Sequence, residues 1–151
     1  MTIEQCYSAI ESNYEEVLGR FAGNKMLVEK FARKFLDDPS YQTLVDTMDK
    51  ADYEEAFRAA HTLKGVCANL GFTQLFKVSS DLTEELRGGA PDEAKLPELL
   101  EKVSSEYKKT VGAFYVLFFC YVFQTLIHDG CHVAVCQGVE DCFSISSKFD
   151  Q

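Results

Sequence analysis

The sequence predicts an all-α protein, an antiparallel up-and-down four-helix bundle with an extra short N-terminal helical segment. Through residue 110, apolar residues recur three and four positions apart with charged residues between them, and β-branched runs are few. The connections between these amphipathic segments are short, which favours antiparallel neighbouring helices. No Gly-rich phosphate loop, dinucleotide-binding fingerprint or internal repeat occurs in the sequence.

The first helix is predicted over roughly residues 3–20. Thr2 has the residue type of an N-cap, and Gln5 stands at the capping-box position three residues later. The apolar stripe that we expect this helix to turn towards the core consists of Ile3, Tyr7, Ile10, Tyr14, Val17, Leu18 and Phe21.

Two further helices are predicted before residue 51. One opens near Asn24 and runs to about Leu36, and Asp37-Asp38-Pro39 ends it because the residue before a proline is pushed out of helical dihedral angles. The other is short and covers about residues 41–50. The side chains that the first of these two helices is expected to bury are Met26, Leu27, Phe31 and Phe35.

The longest helix is predicted to start after the N-cap residue Asp52 and to stop near Gly71. The next helix covers about residues 73–86 and is closed by the Gly-Gly-Ala-Pro stretch at residues 88–91, a strong stop signal. The last helix is predicted to begin near Asp92 and to run past Tyr107.

The composition changes at about Thr110, and we therefore divide the chain into a bundle domain, residues 1–110, and a C-terminal tail, residues 111–151. Residues 111–127 carry no charge and are rich in aromatics. The length of this apolar run is marginal for a membrane span, which needs about 20 residues. This run could continue the last helix as a buried core segment, or be an apolar tail that packs back or pairs with another chain. The residues after it alternate in a strand-like pattern, and the tail could also be non-native sequence.

The chain of 151 residues fits one domain with a formal net charge of -9. A polyanion would repel this acidic surface, which argues against binding to nucleic acid or to an anionic membrane. The N-terminal residues lack the pattern of a secretory signal peptide, and the six cysteines are unevenly placed, without a disulfide framework in the first 110 residues. We therefore expect a cytoplasmic, monomeric protein in a reducing compartment.

The tail contains a group of residue types that can bind zinc. The strong sequence signal for such a site is a C-x-x-C pair, and this group has none, since four residues separate Cys131 from Cys136. Free thiols, a crossed pair or a weakly ordered end explain these residues better than a metal site does. The members of the group are His128, Cys131, His132, Cys136 and Cys142.

His61 is predicted to lie on the outer face of the longest helix. At about 100° per residue, it stands roughly 125° from the centre of the inward stripe, so its imidazole should face water. Its neighbours one turn away are Lys64 and Gly65 on one side, and Phe57 and Arg58 on the other. The inward stripe consists of Tyr53, Ala56, Ala60, Leu63, Cys67 and Leu70.

Three of these residues suit phosphoryl transfer. A neutral imidazole nitrogen is a competent nucleophile near physiological pH, and the phosphorylated imidazole remains labile. Lys64 can place an ammonium beside the phosphoryl oxygens. Gly65 costs about 1 kcal/mol relative to alanine in a helix, which makes sense if a partner's backbone must come close. From the spacing alone, a surface histidine without a task, beside a solvated lysine and a glycine used for helix packing, explains the pattern equally well.

The stretch AHTLKGVCANLGF, residues 60–72, resembles the signature of histidine-containing phosphotransfer (HPt) domains. That signature is H-x-x-K-G with a small residue soon after and a glycine ten positions past the histidine. The matching positions are His61, Lys64, Gly65, Ala68 and Gly71. With the helix layout included, the resemblance covers about residues 3–109.

The resemblance implies a phosphorelay intermediate of two-component signal transduction, without a kinase domain of its own. His61 would accept the phosphoryl group at its outer ring nitrogen from a receiver aspartate, Lys64 would lie beside that group, and Gly65 would leave room for the receiver. The implied partners are a response-regulator receiver domain, a hybrid histidine kinase, or both. No cofactor is expected on this chain, because the divalent metal would belong to the receiver. The expected contact residues beside the histidine are Phe57, Arg58 and Ala68.

One departure from the family pattern lies in the helix after the histidine, where a Leu-Glu pair is common. Here Leu82 is followed by Thr83, and the phosphoacceptor position is not affected. Two other classes of function remain open at this point. The protein could be a structural helical interaction module in which His61 is incidental, or a membrane-tethered or metal-binding protein that acts through its tail.

Overall fold

The computed structural model describes the backbone of residues 2–127 and the side chains of residues 2–119. These residues form seven α-helices and, within this part of the chain, no strand. The all-α class is therefore confirmed, whereas the antiparallel up-and-down four-helix arrangement stays a prediction. The helices are α1 (Ile3–Ala9), α2 (Tyr14–Arg20), α3 (Lys25–Leu36), α4 (Ser40–Asp49), α5 (Tyr53–Leu70), α6 (Thr73–Leu86) and α7 (Leu96–Ile127).

The prediction of one continuous helix over residues 3–20 is wrong, because the chain breaks between α1 and α2. Glu11 adopts a left-handed conformation with φ of 54°. Asn13 caps α2, and its side chain accepts a hydrogen bond from the backbone N–H of Glu16 at 3.3 Å. Polar side chains that bond to nearby backbone groups favour caps over helix interiors, which explains the break. Five apolar residues of the predicted stripe are nevertheless buried: Ile3, Tyr7, Ile10, Tyr14 and Val17.

The predicted inward face of α3 is wrong in three of its four residues. Only Phe35 is buried, and it shares the inner face with Val28 and Ala32. These three residues follow a spacing of four and three positions, a narrow stripe on one side of a helix. The predicted side chains that instead reach solvent are Met26 (79% exposed), Leu27 (37%) and Phe31 (40%).

The helix that carries His61 has the predicted bounds and caps. The Asp52 side chain accepts a hydrogen bond from the backbone N–H of Glu55 at 3.3 Å, and Gly71 closes α5 in a left-handed conformation with φ of 66°. The next residue, Phe72, is buried, and α6 begins directly after it. α5 is in extensive contact with both α6 and α4. α6 supplies the residues that lie beside Lys64 on this helix.

An aromatic cluster under the C-terminal end of α5 forms the centre of the core. The ring centroids of Tyr7 and Phe114 are 5.4 Å apart, those of Phe72 and Phe114 5.3 Å, and those of Phe35 and Phe72 4.9 Å. The Tyr7 hydroxyl donates a hydrogen bond to the carbonyl of Leu70 at 2.8 Å. This packing and the Tyr7 hydrogen bond connect the end of α5 to α1, α3 and α7.

The last helix crosses the predicted domain boundary at residue 110 without interruption. Thr110 and Phe114 are both buried, and the residues through Phe119 form one compact unit. The run after residue 110 therefore continues the last helix and contributes Phe114 to the core, which was one of the alternatives left open by the sequence. The predicted strand-like pattern after Ile127 lies outside the described residues. None of the described helices is long and apolar enough to cross a membrane.

Candidate functional site

The His61 side chain lies exposed on α5, as the helical periodicity predicts. The buried side of the helix is formed by Ala56, Ala59, Ala60, Leu63, Cys67 and Leu70, whereas Tyr53 is only half-buried. Burial in this stripe raises the pKa of the Cys67 thiol, which makes that cysteine a poor nucleophile. α5 thus presents the imidazole of His61 to solvent, whereas the Cys67 thiol is buried.

Lys64 and Gly65 flank His61 but differ in their surroundings. The Lys64 side chain is only 25% exposed, and its Nζ lies 3.9 Å from Oε1 of Glu84 on α6. The same Nζ lies 5.9 Å from the ring centroid of Phe76. By contrast, a Cβ added at the exposed Gly65 would meet no atom within 4 Å. The helix face beside His61 therefore carries one restrained ammonium and one open patch of backbone.

On the other side of His61, the predicted contact residues Phe57 and Arg58 differ in their contacts. The ring of Phe57 lies 6.0 Å from the His61 ring, and the Arg87 guanidinium carbon lies 5.7 Å from the Phe57 centroid. The Arg58 side chain turns away along its own helix and pairs with Glu54 at 2.7 Å and with Glu55. Phe57 therefore belongs to the immediate surroundings of His61, while Arg58 lies at their edge.

Sequence reasoning missed Glu84 and Arg87 as parts of the site. Arg87 donates two hydrogen bonds to the Glu84 carboxylate, at 2.9 Å from Nε and 2.8 Å from Nη2. These bonds, and then the charges of Arg87, Lys64 and His61, hold the pKa of Glu84 below its usual range. The only sequence signal was an acid and a base three positions apart on the next helix. Its significance depends on how α6 is rotated against α5, which periodicity alone does not specify.

A scan against protein families matches the model described as Hpt domain over residues 27–110, which is more than half of the chain. The matched region contains His61 together with Lys64, Gly65, Ala68 and Gly71. The chain belongs to the Hpt domain family. Searches of curated proteins and of solved structures found no match.

Membership in the Hpt domain family confirms the resemblance seen in the signature around His61. It gives the chain a phosphotransfer role in two-component signalling. Hpt domains interact with receiver domains and histidine kinases, and they are carriers that lack kinase activity.

Ala68, the third predicted contact residue, connects the histidine face of this Hpt domain to a groove. Residues at positions i, i+4 and i+7 share a helix face, so that His61, Gly65 and Ala68 lie in one row. Ala68 and Val66 line a groove between α5 and α3, and the half-exposed Phe31 lines its other side. The groove and the row of exposed residues form one continuous surface.

The part of the Hpt domain chain that the structure describes contains no cluster of His, Cys, Asp or Glu able to hold a metal ion. The alternative zinc site that the sequence raised uses His128 and the cysteines after it, which lie outside the described residues. Cys6 and Cys67 are free and buried. Burial raises the pKa of Cys6 to about 11, so this thiol stays protonated near neutral pH.

Proposed function

We propose that His61 is the phosphoacceptor of this Hpt domain, a phosphorelay intermediate that exchanges a phosphoryl group with the aspartate of a receiver domain. The observation that carries the proposal is an exposed imidazole flanked one turn away by a lysine and by an open glycine, within the region that matches the family. A receiver must bring its aspartyl phosphate against this helix, and the open backbone at Gly65 leaves room for it.

The transfer step uses the imidazole of His61 as its nucleophile. The lone pair of the outer ring nitrogen of His61 attacks the phosphorus of the aspartyl phosphate. The N–P bond forms as the bond from phosphorus to the acyl oxygen breaks, and the electron pair of that bond leaves with the aspartate carboxylate. The other ring nitrogen keeps its proton, so the products are a phosphohistidine and a free aspartate. The reverse reaction passes the phosphoryl group on to a second receiver.

The lysine stabilises charge during this step. The phosphoryl oxygens bear negative charge throughout, and an ammonium one helical turn from His61 can approach them. Lys64 is the cation on α5 in that position, whereas Arg58 already pairs with two glutamates on its own helix. The receiver would contribute its acidic pocket and its divalent metal, so this chain needs no cofactor.

The docking face is proposed to extend from Phe57 through Gly65 to Ala68 and into the groove beside α3, with Arg58 at its rim. Its support is the combination of exposed apolar side chains on α3 with small residues on α5, since small and apolar residues permit close approach of a partner. The partner would be a receiver domain of a response regulator, of a hybrid histidine kinase, or both.

Three broader features of the proposal follow from the family and from the chain itself. The up-and-down four-helix arrangement is the fold implied by family membership, and the short connection between α5 and α6 favours it. Two free buried thiols fit a reducing, cytoplasmic setting. A monomer suffices for the proposed reaction, because all of its residues come from one chain.

Replacing His61 with glutamine is expected to abolish phosphate uptake, because an amide has no nucleophilic nitrogen. The donor would be a receiver domain phosphorylated with acetyl phosphate, and mass mapping would locate the acid-labile phosphate. The stability should change by less than about 0.5 kcal/mol, since the site is exposed. The matched control is His128→Gln, which should take up phosphate like the unmodified chain. Uptake by His61→Gln at the unmodified level would disprove the proposal.

Replacing Gly65 with leucine is expected to weaken receiver binding by roughly five- to 150-fold, the effect of about 1–3 kcal/mol of steric overlap in an interface. The helix itself should become slightly more stable, because leucine has the higher helix propensity and no neighbour obstructs its Cβ. Gly19→Leu is the matched control, since Gly19 is also exposed, helical and unobstructed. Equal affinities of both variants, measured by calorimetry with the same receiver, would remove α5 from the docking face.

A further inference from the structure

A closed set of contacts connects the flank of His61 to the outer face of α6. Phe57 lies against His61, Arg87 lies over Phe57, Glu84 binds Arg87, and Glu84 also faces Lys64, which stands one turn from His61. The carboxylate is thus placed between two cations, of which Lys64 stands one helical turn from His61.

The two ion pairs of Glu84 differ in strength. Arg87 holds the carboxylate through two hydrogen bonds of normal length. The distance of 3.9 Å from Lys64 Nζ to Glu84 Oε1 is too long for a hydrogen bond, so this pair is held by charge alone. Arg87 therefore fixes Glu84, and Glu84 restrains Lys64 loosely enough for another anion to displace it.

A phosphoryl group on His61 would be that second anion. It would compete with Glu84 for the ammonium of Lys64, and it would also feel the negative charge of the carboxylate. Both effects raise the free energy of the phosphorylated protein relative to the unphosphorylated one. The side chains involved are partly exposed, 25% for Lys64 and 54% for Glu84, so the effect has the modest size of a partly screened ion pair.

We infer that Glu84 is a positioning residue that competes with the phosphohistidine for Lys64 and thereby favours release of the phosphoryl group to a receiver. This inference rests on the proposed role of His61 as the phosphoacceptor. Glu84 does not touch the reacting atoms and acts through the position and charge of Lys64. It adds an anion on α6, held by Arg87 directly after that helix, to the residues of the signature on α5.

The first experiment needs no phosphate. Lysines of the full chain are acetylated briefly with an N-hydroxysuccinimide ester, and the modified fraction at Lys64 is quantified by mass spectrometry. In Glu84→Gln, labelling of Lys64 should rise roughly two- to fivefold, the size of one partly exposed ion pair. The matched control is Glu98→Gln, which removes the same charge from an exposed glutamate that pairs with Lys102 on α7. Unchanged labelling in Glu84→Gln would overturn the restraint of Lys64, whatever the role of His61.

The second experiment measures the phosphotransfer equilibrium with a receiver domain phosphorylated by acetyl phosphate and then freed of the donor. Glu84→Gln should shift the ratio of phosphorylated Hpt domain to phosphorylated receiver upwards by roughly two- to fivefold, while Glu98→Gln should leave it unchanged. In a Lys64→Ala background, the shift caused by Glu84→Gln should fall to less than about half of that size. An equal shift in both backgrounds would show a direct charge effect and would overturn the action through Lys64.

The two experiments distinguish failure of the inference from failure of the proposed function. If Glu84→Gln increases labelling but His61→Gln still accepts phosphate, the restraint of Lys64 is present and the proposed phosphoacceptor is wrong; the inferred role in phosphoryl release is then overturned with it. If His61 is the only phosphorylated residue and Glu84→Gln changes neither labelling nor the equilibrium, the proposed function stands and the inference is overturned alone.

Discussion

Replacing Phe114 with alanine is expected to destabilise the protein by about 3–5 kcal/mol, the usual cost of truncating a buried phenylalanine. The side chain is fully buried and packs against Tyr7 and Phe72 in the aromatic cluster under α5. A single domain is commonly stable by only about 5–15 kcal/mol, so this one change removes a large share of the total. Urea denaturation followed by circular dichroism measures the difference.

Phe119 on the same helix offers the matched control, because the identical substitution there removes a ring that is 54% exposed. Phe119→Ala should change the free energy of unfolding by less than about 0.5 kcal/mol.

The same reasoning applies to the domain boundary. A chain that ends at Lys109 lacks Phe114 and should be much less stable than a chain that ends at Phe119. Equal unfolding midpoints of these two chains would mean that α7 beyond residue 110 does not belong to the core.

Gly71→Ala is expected to lower the free energy of unfolding by about 2–6 kcal/mol for two additive reasons. Gly71 has a φ of 66°, which an alanine adopts only with strain of about 1–3 kcal/mol. In addition, the new Cβ would overlap the Cγ2 methyl of Val17 in the core, and overpacking of this kind costs about 1–3 kcal/mol. Thermal unfolding of the full chain, monitored by circular dichroism, should show a clear decrease in Tm.

Gly65→Ala is the matched control for Gly71→Ala. Gly65 lies inside α5 with open space around its Cβ position, so alanine should stabilise the helix by up to about 1 kcal/mol. The same substitution is thus expected to change the free energy of unfolding in opposite directions at these two positions of the motif. A loss of stability at Gly65 similar to that at Gly71 would contradict the contrast and would indicate a packing role for Gly65.

This contrast separates the two glycines of the signature by function. Gly71 closes α5 and lets the core approach its backbone, so it is required by the fold. Gly65 has no such structural requirement. Its helix propensity is lower than that of alanine, and no packing contact within the described chain calls for a glycine there. The proposal that Gly65 serves the approach of a receiver accounts for a residue that the fold itself does not need.

Much of the local structure was predictable from the sequence. The bounds of α5 and α6 follow from Asp52 and Gly71 as caps and from the glycines after Leu86, because capping and stop signals are local properties of the chain. The 3.6-residue period likewise placed His61 on the outer face of α5. The same local reasoning failed between α1 and α2, where the helix ends although the apolar period continues. There the Asn13 side chain caps α2, and the Ser12 hydroxyl accepts a hydrogen bond from the distant backbone N–H of Thr73.

The inner face of α3 could not be predicted, because its apolar side chains fall on two adjacent sides of the helix. Leu27 and Phe31 lie on one side, Val28 and Ala32 lie on the other, and Phe35 lies between them. Periodicity selects a hydrophobic side but does not say which of two neighbouring stripes meets the rest of the core. In the folded protein, the narrow stripe that ends at Phe35 is buried, and Phe31 lies beside the groove between α3 and α5.

By itself, the sequence determined the helical class, the exposed histidine and the signature of the Hpt domain family, because each depends on residues close together in the chain. Only the tertiary structure decided that Phe114 belongs to the core, that Gly71 is confined by Val17, and that Glu84 faces Lys64. These features join residues far apart in sequence, and they depend on how each helix is rotated against its neighbours. That rotation is set by the packing of all the side chains together, which no local pattern encodes.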